Sequence, residues 1–246
     1  MDAGVLALFL LAGFAGAVVS GIAGFAFGLV VSGVWLHIVA PAQFAVLIVI
    51  TGLVTQGYGI WKVRHALTWR ALVPFIVGGA IGIPIGTALL GYAEPERMRL
   101  GIGVLLIVYS VYNLARPNLT PITPHPAADG VAGALNGILS GLTGLGGVIV
   151  TVWCQLRGGT KDMQRAVYQP AIFATFVMTA ISLAAAGQVT VPTLTLFATA
   201  LPVLLAGLWI GVRLYGRLDD AAFRKMVLVL LLLSGLTLVL PLPDLM

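Results

Sequence analysis

Apolar runs of roughly 20 residues recur along nearly the whole of this 246-residue chain, and no other feature narrows the fold as far. Wound as a helix at about 1.5 Å per residue, such a run crosses a hydrocarbon core of about 30 Å. Inside that core every backbone N–H and C=O must find a partner within the protein, which leaves helices or closed barrels. The runs are continuous and lack the alternation of barrel strands, so the fold class is an all-α polytopic membrane protein. Composition agrees: hydrophobic residues make up 60% and charged residues 9%, against about 25% charge in soluble domains. The mean hydropathy is +1.08.

Two of the runs are interrupted by glycine-rich breaks that read alike, Ser20-Gly21-Ile22-Ala23-Gly24 and Ser140-Gly141-Leu142-Thr143-Gly144. Phe25-Ala26-Phe27-Gly28 follows the first and Leu145-Gly146-Gly147-Val148 the second. The arms of the first broken stretch, about 4–19 and 25–39, measure roughly 22–24 Å and fall short of a full crossing. The second stretch, about 127–157, has arms of only about 13 and 11 residues. Full spans follow at about 43–61, 68–91 and 97–115, and again at about 163–187, 192–215 and 221–240.

A second register mark appears within the later spans. Gly82-x-x-x-Gly86-x-x-x-x-Gly91 recurs as Gly207-x-x-x-Gly211-x-x-x-x-Gly216, with Arg99 opposite Arg224. These glycine pairs read as small-residue packing surfaces. The chain is therefore expected to be an internal duplication: a first transmembrane repeat over 1–115, a Pro- and Thr-rich linker over 116–126, and a second repeat over 127–246. Each repeat is a broken, re-entrant helical hairpin followed by three transmembrane helices, together forming one transport domain.

The formal charge of +5 lies in short loops between spans. That is the pattern of topology signals and lipid-headgroup contacts, not of nucleic-acid binding. If each hairpin enters and leaves by one face, Lys62, Arg64, Arg70, Arg116, Arg157, Lys161, Arg165, Arg213, Arg217, Arg224 and Lys225 are all cytoplasmic. Only Arg97 and Arg99, of 13 basic residues, remain outside. The two repeats are then inverted, with both termini outside a bacterial inner membrane. Replacing each hairpin by two short full spans gives the same sidedness and stays open, although the arm lengths favour the hairpin. Asp2, with no basic residue around it, marks the first run as retained and not cleaved. The single cysteine, Cys154, excludes an intrachain disulfide.

In each hairpin the second arm starts at the tip, so two helix N-termini are expected to meet at mid-membrane with unpaired N–H groups and partial positive charge. That is an anion site made without a buried cation. Its expected residues are Ser20, Gly21 and Gly24 at the first tip, and Ser140, Gly141, Thr143, Gly144, Gly146 and Gly147 at the second. Asn136 and Gln169 join as polar residues inside spans, where polarity is informative. The plainer readings are glycines for packing and amides for interhelical hydrogen bonds. No Asp, Glu or Lys reads as deep in a span, so no carboxylate relay is visible. A proton as coupling ion and a homodimer remain open. There is no Walker loop, no metal-ligand cluster and no Ser–His–Asp set, so no cofactor, metal or catalytic residue is expected.

On these residues the chain resembles the TauE/SafE sulfite exporter family, also called the 4-toluene sulfonate uptake permease family (TSUP). The resemblance covers nearly the whole chain. It rests on Gly144-x-Gly146-Gly147, the degenerate Gly21-x-x-Gly24, the repeated glycines with Arg99 or Arg224, and the stretch from Trp153 through Pro170. It implies a permease for sulfite, sulfoacetate or another organosulfonate, working as an exporter. An anion channel with the same site and a membrane-embedded enzyme are the competing readings.

Overall fold

The computed structural model describes residues 2–24, 26–63, 69–115, 123, 125–157, 161–214 and 220–240. Among these, all regular structure is helical: α1 (Ala3–Ala23), α2 (Phe27–Trp35), α3 (Pro41–Val63), α4 (Trp69–Leu90), α5 (Pro95–Ala115), α6 (Pro126–Thr143), α7 (Val148–Leu156), α8 (Lys161–Ala185), α9 (Val191–Leu214) and α10 (Asp220–Val239). A long helix, a nine-residue helix and three long helices thus occur twice in succession. Helices α1, α4, α5, α8 and α9 are long and apolar enough to cross a membrane. On α4 the exposed residues Val73, Val77, Ile81, Ile85 and Leu89 recur every fourth position. That apolar stripe is the face a lipid-exposed helix presents.

The broken stretches differ from expectation in one respect. Their arms are unequal. Helix α1 has 21 residues, or about 31 Å, which is enough to cross, against the expected arm of roughly 22–24 Å. Helices α2 and α7 have nine residues each, about 13 Å, and cannot cross. The reason lies at the serine–glycine corners, which are helical. Helix α1 continues through Ser20 and Gly21 and stops at Gly24, in the left-handed region at φ 76°, whose N–H bonds Ser20 O at 2.8 Å. Helix α6 stops in the same way at Gly144, φ 77°, whose N–H bonds Ser140 O at 2.7 Å. Glycine is the residue that takes this backbone without strain. The breaks proper are therefore only the few residues after Gly24 and Gly144.

The helices gather into two compact units. One is built from α1, α2, α5, α10 and most of α9; the other is built from α4, α6, α7, α8 and most of α3. Each unit takes helices from both halves of the chain. Within the second unit α4 lies against α6 with their backbones touching. A methyl group at Gly82 would run into Ala134 O, one at Gly86 into Ile138 O, and one at Gly141 into Ile83 O and Thr87 N. Within the first unit α9 and α1 repeat the arrangement. Gly207 faces Phe14 O, Gly211 faces Val18 O, and Gly21 faces Leu208 O and Val212 N. Adding 125 to the α4 numbers and subtracting 120 from the α6 numbers turns one set into the other. The glycine pairs are packing surfaces, as their spacing indicated, and Gly21 and Gly141 belong to those surfaces.

Candidate functional site

The second broken stretch is closed at its base by a buried acid. His125 caps α6, accepting the Ala127 N–H at 3.3 Å, and Pro126 opens the helix. Asp129 follows in the first turn, where the helix dipole favours a carboxylate. It is 4% exposed. Trp153 Nε1 donates to Asp129 Oδ1 at 2.8 Å, and Arg157 Nη1 reaches both carboxylate oxygens at 3.1 and 3.2 Å. Trp153 and Arg157 stand one turn apart at the end of α7. The first turn of α6 and the last turn of α7 are thereby tied together, so this stretch begins and ends at the same level. Asp129 was passed over in the sequence because it precedes the apolar core of its helix. An acid at a helix start and a Trp-x-x-x-Arg pair beyond the break were the available signal.

The first stretch is closed at the equivalent place without charge. Position 9, which is 120 residues before Asp129, is a phenylalanine. Its carbonyl accepts Trp35 Nε1 at 3.0 Å, and the two rings stack with centroids 4.2 Å apart. Phe27 meets Trp35 edge-on at 5.5 Å, so Phe27 is packing. Phe25, its neighbour in the sequence motif, lies outside the described residues. Gly16, the counterpart of Asn136, faces Val31 and Phe27. Arg99 Nε donates to Leu36 O at 2.9 Å, placing a cation on the C-terminal end of α2. Ala26, just before α2, holds φ 76°, a backbone that carries strain in a residue with a Cβ.

At the second break the polar residues converge. Asn136 is fully buried; its Nδ2 donates to Gly146 O at 3.0 Å and, at a longer 3.4 Å, to Thr175 Oγ1. Ser140 and Thr179 share a hydrogen bond of 2.8 Å. Thr143 Oγ1 donates to Leu139 O at 2.7 Å and accepts the Leu145 N–H at 3.1 Å. Gly146 lets the loop close on Ser140, since a methyl there would lie 2.5 Å from Ser140 Oγ. Gly147 sits against Ile172. Thr175 and Thr179 of α8 match Asn136 and Ser140 of α6 rung for rung, each pair one turn apart, and both threonines were missed in the sequence. A threonine pair spaced by one turn inside an apolar span was the signal.

The expected residues Asn136, Ser140, Thr143, Gly144 and Gly146 are thus brought together in one unit. Ser20, Gly21 and Gly24 lie at the corresponding corner of the other unit, with Ser20 buried. Gln169 is buried in α8 beside Pro170 and is not among the residues that bond to the break.

The hydrogen bonds leave a distinct set of groups for a ligand. The side-chain donors at the break hold its backbone in shape. Neither α7, with Gly147 at its N-cap, nor α2, with Ala26 at its N-cap, has a side chain capping its first N–H groups. A helix start of that kind attracts negative charge. Two buried side-chain atoms beside α7 also have no partner, Asn136 Oδ1 and Thr151 Oγ1. Leaving a buried acceptor unmatched costs about 1–3 kcal/mol.

Long apolar helices, with others that break inside the same apolar fold, define a polytopic membrane protein. The chain belongs to the sulfite exporter TauE/SafE family, whose model matches residues 8–238. This is a family of membrane transporters that export anions. No curated protein and no solved structure matches the chain.

Proposed function

We propose that this protein is an inner-membrane permease that exports a small sulfur-containing anion, sulfite, sulfoacetate or another organosulfonate, by alternating access. The observation that carries the reading is the uncapped start of α7 beside a break lined by Asn136, Ser140 and Thr143. Main-chain dipoles there would hold a negative ligand with no cationic side chain beside it. Gly144, Gly146 and Gly147 let the loop pass close to that ligand, and Gly141 lets α6 approach α4. Ser20, Gly21 and Gly24 carry the same proposal for their own unit, and Gln169 for α8. The family match supports the substrate class. The repeats are inverted in this reading, with both termini outside and the basic loops in the cytoplasm.

The test is counterflow in proteoliposomes holding the purified protein. Unlabelled sulfite or sulfoacetate inside the vesicles should drive saturable uptake of the labelled anion, and Gly147→Leu should abolish it. Flux that rises linearly with concentration and shows no counterflow would replace the carrier with a channel. No flux of any sulfur anion would end the reading.

A further inference from the structure

We propose that Asn136 makes the site selective for sulfur-containing anions that carry a hydrogen-bond donor of their own. This rests on the permease reading above. The orientation of the Asn136 amide is fixed by its surroundings. Gly146 O can only accept a hydrogen bond, so the atom facing it at 3.0 Å is the nitrogen. Thr175 Oγ1 points its own hydrogen at Ala171 O, at 2.8 Å, and so also receives from that nitrogen. The remaining amide atom, Oδ1, is therefore a carbonyl oxygen, buried and without a partner.

The amide that carries this oxygen lies beside the start of α7, because its nitrogen bonds Gly146, the residue just before the Gly147 cap. The two features make opposite demands. Uncapped N–H groups favour an anionic oxygen, whereas a lone carbonyl repels one and favours an O–H or N–H. A ligand with only acceptors satisfies the first and leaves the second unmatched. A monoanion with a donor satisfies both. The requirement belongs to the second break, since the counterpart of Asn136 is Gly16, which has no side-chain carbonyl and lies against Val31 and Phe27.

The chemistry has two possible sources: a protonated oxyanion, or a sulfonate with a hydroxyl group on its carbon chain. Calorimetric titration of the full-length protein in nanodiscs separates them. One comparison sets hydrogensulfite against methanesulfonate at mildly acidic pH. The other sets 2-hydroxyethanesulfonate against propane-1-sulfonate, which has a methyl in place of the hydroxyl. The donor-bearing member should bind at least about tenfold more tightly, in the first comparison if the oxyanion carries the donor and in the second if the chain does. In Asn136→Ala that ratio should fall to about one, and in Gly101→Ala, where nothing lies within 4 Å, it should persist. Should Asn136→Ala fail to fold, Asn136→Ser, whose hydroxyl can turn back to its own helix, is read in the same way.

Equal binding within both comparisons for the unaltered protein would overturn the inference and leave the permease reading standing. A ratio that survives the loss of Asn136 would also overturn it. If none of the four anions binds, both fall together.

Discussion

Asp129 and Arg157 are 28 residues apart in the chain and 3.1 Å apart in space, at the two ends of one broken stretch. The contact makes α6 and α7 a hairpin. A single crossing that ran on through the break would leave these residues on opposite faces, and no bond between them would form. Phe9 and Trp35 close the first stretch in the same way, with a backbone carbonyl and a ring in place of the ion pair.

Breaking that pair should destabilise the protein strongly. Arg157→Gln leaves a buried carboxylate supported only by the Trp153 indole. A buried pair broken on one side loses about 3–5 kcal/mol, and the 17% exposure of the Arg157 side chain puts the loss at the lower end. Replacing both residues, as Asp129→Leu with Arg157→Met, should recover most of it. Thermal unfolding of the three variants in detergent measures this. A double variant no better than Arg157→Gln would mean that the pair does more than neutralise itself.

Gly86→Ala should be among the most damaging single methyl additions. The new carbon meets a main-chain carbonyl of α6 that has no rotamer in which to retreat, so α4 and α6 must part. Overpacking of this kind is worth about 1–3 kcal/mol or more. Gly211→Ala should behave alike in the other unit. Gly101→Ala, where nothing lies within 4 Å, should be silent. Yield of folded protein by gel filtration separates the three.

Ala26 offers a test of backbone strain. At an ordinary buried site such as Ala17, alanine to glycine gives up methyl burial of about 0.8 kcal/mol and adds chain entropy of about 0.5–1 kcal/mol. At Ala26 relief of the left-handed backbone returns about 1–2 kcal/mol. Ala26→Gly should therefore be close to neutral, while Ala17→Gly loses stability and Ala26→Val loses more. A thermal-shift series gives the order directly.

Cysteine labelling decides the topology. With Cys154 replaced by alanine, single cysteines at Lys62 and Arg157 should both be blocked by an impermeant reagent added from the cytoplasmic side. One at Arg97 should react from outside. Labelling of the first two from opposite sides would make each broken stretch a single crossing and end the hairpin topology.

The spans were legible because an uncharged run of 20 residues has few alternatives, and their ends matched within a few residues. The glycine pairs were legible because they recur in register. The helix ends at the breaks were not. Ser20, Gly21 and Gly141 have poor helix propensity, yet they are held helical by backbone contact with α9 or α4, a tertiary effect absent from local sequence. The threonines of α8 were illegible for a different reason. In a helix a threonine hydroxyl can bond its own preceding turn, as Thr175 does with Ala171, so nothing in the sequence marks it as facing α6. Asn136 and Ser140 were picked out for their polarity. Only the fold reveals that the Asn136 amide nitrogen already holds the loop at Gly146 O and that the Ser140 hydroxyl is paired with Thr179.

The exchange of partners between halves also constrains how the protein is made. The glycine face of α1 meets α9, which leaves the ribosome nearly 200 residues later, and the face of α6 meets α4, which is already waiting. Until α9 has been inserted, Phe14, Val18 and Gly21 have only lipid against them, and the first half is an unfinished object. A gene for either half alone should give a product that is cleared by proteolysis. Two fragments cut at the linker and expressed together should find each other and assemble.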